Sequence, residues 1–147
     1  MKRHYQSFFG KKCALIINSN SDNGDFFLNF IQEKENGKWE TYKEGLNIKL
    51  GLKEICEILY ILEKNRGKTN IIHKYKNNQK NFWIGFEQKQ NDLVFSIKGK
   101  IKDLSNGKEL RAHQKSFFQG ELRLLKKLLI HIENEFIELT TIAKSDE

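Results

Sequence analysis

The chain has 147 residues, of which 38% are hydrophobic and 12% aromatic, no proline, and a formal net charge of +7. That is enough apolar material for one folded domain and too much for a disordered chain, while two separate domains would be cramped. No apolar run reaches the length of a membrane span, residues 1–12 lack the apolar centre of a signal peptide, and two cysteines cannot make a disulfide framework or a cysteine zinc site. The expectation is a soluble chain in a reducing, intracellular compartment, with an organelle left open and no membrane as partner.

In chain order, residues 1–12 are a basic lead-in carrying Lys2, Arg3, Lys11 and Lys12 without an acid. The apolar run 13–17, with Cys13 inside it, predicts a first strand. Residues 18–24 are dense in turn formers. Residues 26–31 predict a second strand with apolar side chains on both faces, 35–38 a hairpin turn, 39–43 a third strand and 46–52 a fourth. The alternation of Leu46, Ile48, Leu50 and Leu52 then gives way to the helical spacing of Ile55, Leu59 and Leu62, widened by Cys56 and Ile58. Gly67 offers a left-handed stop for that helix.

The second half repeats the order. Strands are predicted over 70–76, 82–87, 93–101 and, more weakly, 110–115. In the third of these Leu93, Phe95, Ile97 and Ile101 are expected inside, with Ser96, Lys98 and Lys100 outside. A long amphipathic helix follows, with Phe118, Leu122, Leu125, Leu129, Ile132 and Phe136 at steps of three and four, and Ser116 and Gln119 at capping-box spacing. The fold class is therefore α+β: a duplicated ββββα pattern, two antiparallel four-stranded sheets with two helices, spanning 8–67 and 68–139 of a single domain and followed by a polar tail at 140–147.

Catalysis finds little support. His4, His73, His113 and His131 are scattered, none at a metal-ligand spacing or in a nucleophile motif, and no glycine loop could cradle a phosphate. Acidic pairs such as Glu33 and Glu35, or Glu133 and Glu135, fit solvated turns and helix faces. No enzyme activity, cofactor or metal is expected. The charge distribution says more. Between residues 70 and 115 ten basic residues face four acidic ones, whereas the C-terminal helix and tail are acidic on balance. Such segregation favours a polyanionic partner. Outward Lys49, Lys74, Lys76, Lys98 and Lys100 can follow a phosphate backbone, and Trp39, Tyr42 and Trp83 can stack on unpaired bases, Trp83 standing opposite Phe82, Ile84 and Phe86. Neither helix is basic, so a groove-reading helix for duplex DNA is not indicated. The seam Leu122, Leu125, Leu129, Ile132 and Phe136, with further apolar residues at Leu124, Leu128, Ile130 and Ile137, points to a homo-oligomer packed through its helices.

These residues resemble the Whirly family of single-stranded DNA-binding proteins, whose fold is two ββββα units. Lys12, Ala14 and Leu15 match the family's Lys-Gly-Lys-Ala-Ala-Leu segment, with Gly10 and Lys11 in reversed order. The run Phe26, Phe27, Leu28, Asn29, Phe30 resembles its Gly-Phe-Leu-Leu-Leu-Gln-Phe strand. Residues 38–43 fall where the family has Tyr-Asp-Trp-Ser-Arg-Lys, and 50–55 resemble its Leu-Ser-Val-Thr-Glu-Ile helix start, without the capping side chain. The resemblance implies phosphate contacts at Lys11 and Lys12, tetramers held by helices, and single strands lying along the sheets with little sequence preference. The function it implies is binding and protection of single-stranded DNA in replication, repair or transcription. Guide or structured RNA is the alternative ligand, through the related mitochondrial guide-RNA-binding proteins. A protein-interaction scaffold using the second helix is the alternative from another class.

Overall fold

A computed structural model describes residues 2–145. Its strands are β1 (Arg3–Phe9), β2 (Cys13–Asn20), β3 (Asp25–Gln32), β4 (Leu46–Lys49), β5 (Lys68–Tyr75), β6 (Asn78–Lys89), β7 (Asp92–Asp103) and β8 (Glu109–Phe117). Helix α1 (Leu52–Lys64) follows β4 and helix α2 (Gln119–Ser145) follows β8. Each set of four strands is an antiparallel meander in chain order, β1-β2-β3-β4 in sheet 1 and β5-β6-β7-β8 in sheet 2. The duplicated ββββα architecture is thus as the alternation of apolar residues indicated. Among the described residues no helix is long and apolar enough to cross a membrane.

The four strands of the first unit are not the expected four. The basic lead-in is mostly strand: Arg3–Phe9 pairs with β2 from Arg3 opposite Asn20 to Phe9 opposite Ala14. Residues 39–43 are not a strand. They belong to an excursion between β3 and β4 that makes one isolated bridge, Glu33 to Trp39, and a single 3-10 turn at Tyr42–Glu44. The turn is capped by Glu44, whose Oε1 accepts from the Thr41 N–H at 2.9 Å and holds the Glu44 carboxyl at about 2. The excursion returns at Gly45, where a Cβ would collide with Asn29 Oδ1 and approach the Phe30 carbonyl oxygen to 2.6 Å.

Other boundaries also move. α1 begins with Glu54 Oε1 accepting from the Gly51 N–H at 2.9 Å, half of a capping box. It ends at Asn65 in the left-handed conformation (φ 55°), two residues before the Gly67 stop read from sequence. The Ser116 and Gln119 capping box does not form: Ser116 lies within β8, and Phe118 stands exposed ahead of the helix. α2 runs to Ser145, so the first part of the expected polar tail is helical, and residues 146–147 lie outside the described residues.

One core fills the space between the inner faces of both sheets and the apolar stripes of both helices. Leu15, Ile17, Phe26, Leu28, Phe30 and Ile48 come from sheet 1, Phe82, Ile84, Phe95, Ile97 and Phe117 from sheet 2. Leu125, Leu129, Ile132 and Phe136 of α2 are buried in this same core, with Leu122 at its margin, so the seam read as an oligomer contact is occupied within the chain. Leu93, expected inside, is 49% exposed at the β6–β7 hairpin, while Ser96, expected outside, is buried, as is Val94 on the same face of β7.

Candidate nucleic-acid interface

Strand pairing fixes which side chains share a face, because directly opposed residues point the same way. On sheet 2 the chain of partners Asn70, Trp83, Lys98, Gln114 crosses all four strands, as do Ile72, Asn81, Lys100, Ala112 and, next to it, Lys74, Gln79, Lys102, Glu109. Their opposite neighbours Phe82, Ile84, Phe95 and Ile97 are in the core. The outer face of sheet 2 therefore carries one tryptophan among lysines, amides and few apolar groups.

Trp83 is half-buried, and Lys100 Nζ lies over its ring, 5.8 Å from the centroid. The two line a groove of about 340 Å³ with Gln79, Asn81, Lys102, Gly107 and Glu109. Lys98 Nζ is held by Glu87 at 2.6 Å, which lowers the Glu87 carboxyl, and Lys100 Nζ is 3.3 Å from Glu109. Lys74 and Lys102 are exposed and make no ion pair among the described residues. The face thus presents two uncommitted ammonium groups and two that are lightly neutralised by exposed or half-exposed acids.

The remaining predicted residues are distributed elsewhere. Lys11 and Lys12 are exposed in the β1–β2 turn. Trp39 and Tyr42 fold over the outer face of sheet 1, packing on Ala14, Ile16 and Ile31. Trp39 stands edge-on to Phe9 at 5.6 Å and Tyr42 lies 6.2 Å from Tyr5. Burial raises the Tyr42 phenol, opposed by the Asn18 side chain. Both rings are thus occupied as a cover for the sheet. Lys49 stands on this outer face, paired with Asp25 at 3.0 Å. Lys76 is in the β5–β6 turn with φ 55°, over the Tyr75 ring, and not on the Lys74 face as strand alternation predicted.

Sequence reasoning missed a second groove of about 320 Å³, where β4 meets the ends of β5 and β6. Phe27, Lys49, His73, Tyr75 and Lys80 line it. Lys80 Nζ donates to Asn47 Oδ1 at 3.0 Å, and burial lowers its pKa. It also missed Lys102, although the period of two through Lys98 and Lys100 pointed to it.

Three basic residues of the 70–115 segment are turned inward. Lys80 is one; Lys115 is buried and pairs with Glu121 at 2.9 Å. Arg111 is the third: Nη2 donates to Glu40 Oε1 and Nη1 to the Glu44 carbonyl, each at 2.7 Å, which ties β8 to the excursion. Its Nε donates to His113 Nε2 at 3.0 Å, so His113 must be neutral with its proton on Nδ1. Burial, aided by the Arg111 charge, lowers the His113 pKa from the ordinary 6.5. The unfolded chain then takes up a proton at higher pH than the folded one, so this contribution is full above pH 6.5 and is lost as pH falls toward the lower folded value. The stability difference between wild type and His113→Gln, from urea unfolding, should accordingly shrink between pH 7 and pH 5, marked as about those values by the titration of imidazole. A pH-independent difference would refute this.

No family model matches the sequence, and a search of the curated proteins finds no match. The fold is nevertheless shared with solved structures. WHY1 from Arabidopsis thaliana superimposes with a TM-score of 0.75 at 12% identity, over 99% of this chain and 91% of that one. The plant transcriptional regulator PBF-2 gives 0.73 at 12% identity, over 100% and 89%. A guide-RNA-binding protein complex bound to a gRNA gives 0.59 at 12% identity, over 88% of each. At this identity the likeness is one of architecture, carried through both sheets and both helices, and the chain has the Whirly fold.

Proposed function

We propose that the chain binds single-stranded nucleic acid along the outer face of sheet 2, with single-stranded DNA as its ligand and protection of unpaired strands in replication, repair or transcription as its role. The observation that carries this reading is Trp83, set among Lys74, Lys98, Lys100 and Lys102 on a sheet surface that is mostly polar. A flat face of this kind suits a strand whose bases are free to stack, and the basic groups suit its backbone. The groove at Phe27, Tyr75 and Lys80 extends the path toward sheet 1. RNA is the second reading, favoured by the similarity to a guide-RNA-binding protein. The working unit is a homo-oligomer, a tetramer by the Whirly resemblance, using exposed Leu124, Leu139 and Phe118 in place of the buried seam.

Fluorescence anisotropy with labelled single-stranded DNA, duplex DNA and single-stranded RNA across a salt series tests this. Four phosphate contacts give a slope of about −3 in log affinity against log salt. The expected order places a single strand ahead of duplex, and the DNA-to-RNA ratio selects the ligand. Stronger binding to duplex, or no binding at low salt, would reject the proposal and leave a protein-interaction scaffold as the better account.

A further inference from the structure

The fold brings together three groups that lie far apart in sequence. His131 and Glu135 are one turn apart on α2, with His131 Nε2 3.6 Å from Glu135 Oε2. His4, from β1, places its Nε2 2.8 Å from Glu135 Oε1. The two imidazoles meet edge to face with centroids 4.9 Å apart. All three ligand atoms lie within 4.8 Å of one another. Glu135 is not the solvated helix-face acid that its sequence suggested: it is buried, and the Ser21 hydroxyl donates to its Oε1 at 2.8 Å. Burial raises its pKa, but the hydrogen bonds from Ser21 and His4 outweigh this and keep the carboxylate ionised. The neighbouring cation, Lys2, is engaged by Glu138 at 2.9 Å.

We propose that His4, His131 and Glu135 form a site for one divalent transition-metal ion of the zinc type, joining β1 to α2. Two imidazole nitrogens and a carboxylate oxygen suit zinc and its first-row neighbours and not magnesium or calcium, which prefer oxygen throughout. Tetrahedral bonds of about 2.0–2.1 Å place ligand atoms roughly 3.3 Å apart. The His4–Glu135 and His131–Glu135 separations bracket that value, and His131, with its side chain 60% exposed, is free to tilt inward. The histidine and carboxylate one helical turn apart have the i, i+4 spacing of helical zinc ligands, and Ser21 orients the carboxylate. The metal takes the place of the hydrogen bond between His4 Nε2 and Glu135; the imidazole stays neutral with its single proton on Nδ1, and water completes the fourth position.

The test is isothermal titration of the chelator-treated full chain with zinc chloride, repeated with cobalt(II) to read the visible absorption of a tetrahedral site. One equivalent per chain is expected, with the intense visible bands of four-coordinate cobalt(II). His131→Gln, at an exposed position, should keep the circular dichroism of the metal-free protein and lower affinity at least about 10-fold. Cys56→Ser should bind as wild type does, excluding the exposed thiol as a ligand. No uptake at micromolar zinc, uptake unchanged in His131→Gln, or loss in Cys56→Ser would overturn the assignment.

Discussion

Trp83→Ala lowers the affinity for single-stranded DNA by about 5- to 150-fold, the effect of removing one base stack worth about 1–3 kcal/mol. The ring is the one large aromatic surface on the outer face of sheet 2, and its backbone is held by pairing to both β5 and β7. Its partners on the core side of β6, Phe82 and Ile84, are fully buried, so the substitution leaves the core intact. Lys100 over the ring adds a cation that a phosphate can share once the indole is covered by a base. Trp39→Phe serves as the contrast: that ring is packed on Ala14, Ile16 and Ile31, and its replacement should change binding less than twofold. Anisotropy titrations of both variants at one salt concentration decide the matter. Affinity retained in Trp83→Ala and lost in Trp39→Phe would move the binding face to sheet 1.

Arg111→Ala is expected to destabilise the fold by about 2–3 kcal/mol, less than the loss of a fully buried pair because the guanidinium is 23% exposed. The substitution strands the Glu40 carboxylate, 11% exposed, and leaves the Glu44 carbonyl without its donor. It also removes the side chain whose hydrogen bonds fasten β8 to the excursion over sheet 1. Urea unfolding should therefore show a lower midpoint, and limited proteolysis should cut residues 33–45 faster. Arg111→Lys keeps the charge but not the planar fork that reaches two acceptors at once, so it should recover less than half of the loss. A midpoint unchanged within about 0.5 kcal/mol would show that Trp39 and Tyr42 alone hold the excursion in place.

Much of this was readable from the residues, and the failures have physical causes. Sheet 2 was legible because its strands are long and their inner positions apolar, so Phe82, Ile84, Phe95 and Ile97 announced the parity that puts Trp83, Lys98 and Lys100 outside. β1 was hidden because its inner face carries His4 and Gln6 before Phe8, with His4 engaged by a helix from the other end of the chain. Residues 39–43 looked like a strand because Trp39 and Tyr42 are large and apolar. Their burial comes from lying across a sheet and not from pairing into it, and no local pattern separates those two cases. The basic segment overstated its surface charge, since Arg111 and Lys115 alternate into the interior, where Glu40 and Glu121 meet them. The histidine and carboxylate cluster could not be read at all. Its members are neighbours only after β1 and α2 have docked.

The ring contacts between the sheets have a further meaning. Phe30 of the first ββββα unit lies 5.8 Å from Phe82 and 5.6 Å from His113 of the second, and Phe8 lies 5.1 Å from Phe117. Each unit supplies a wall of the other's interior, so unfolding is expected as one transition, checked by coincident urea curves from tryptophan fluorescence and circular dichroism. A half-length chain of this pattern could shut such an interior only by pairing with a second copy of itself. The intact protein is in that sense already a dimer, its two copies fused through the short link at residues 65–67.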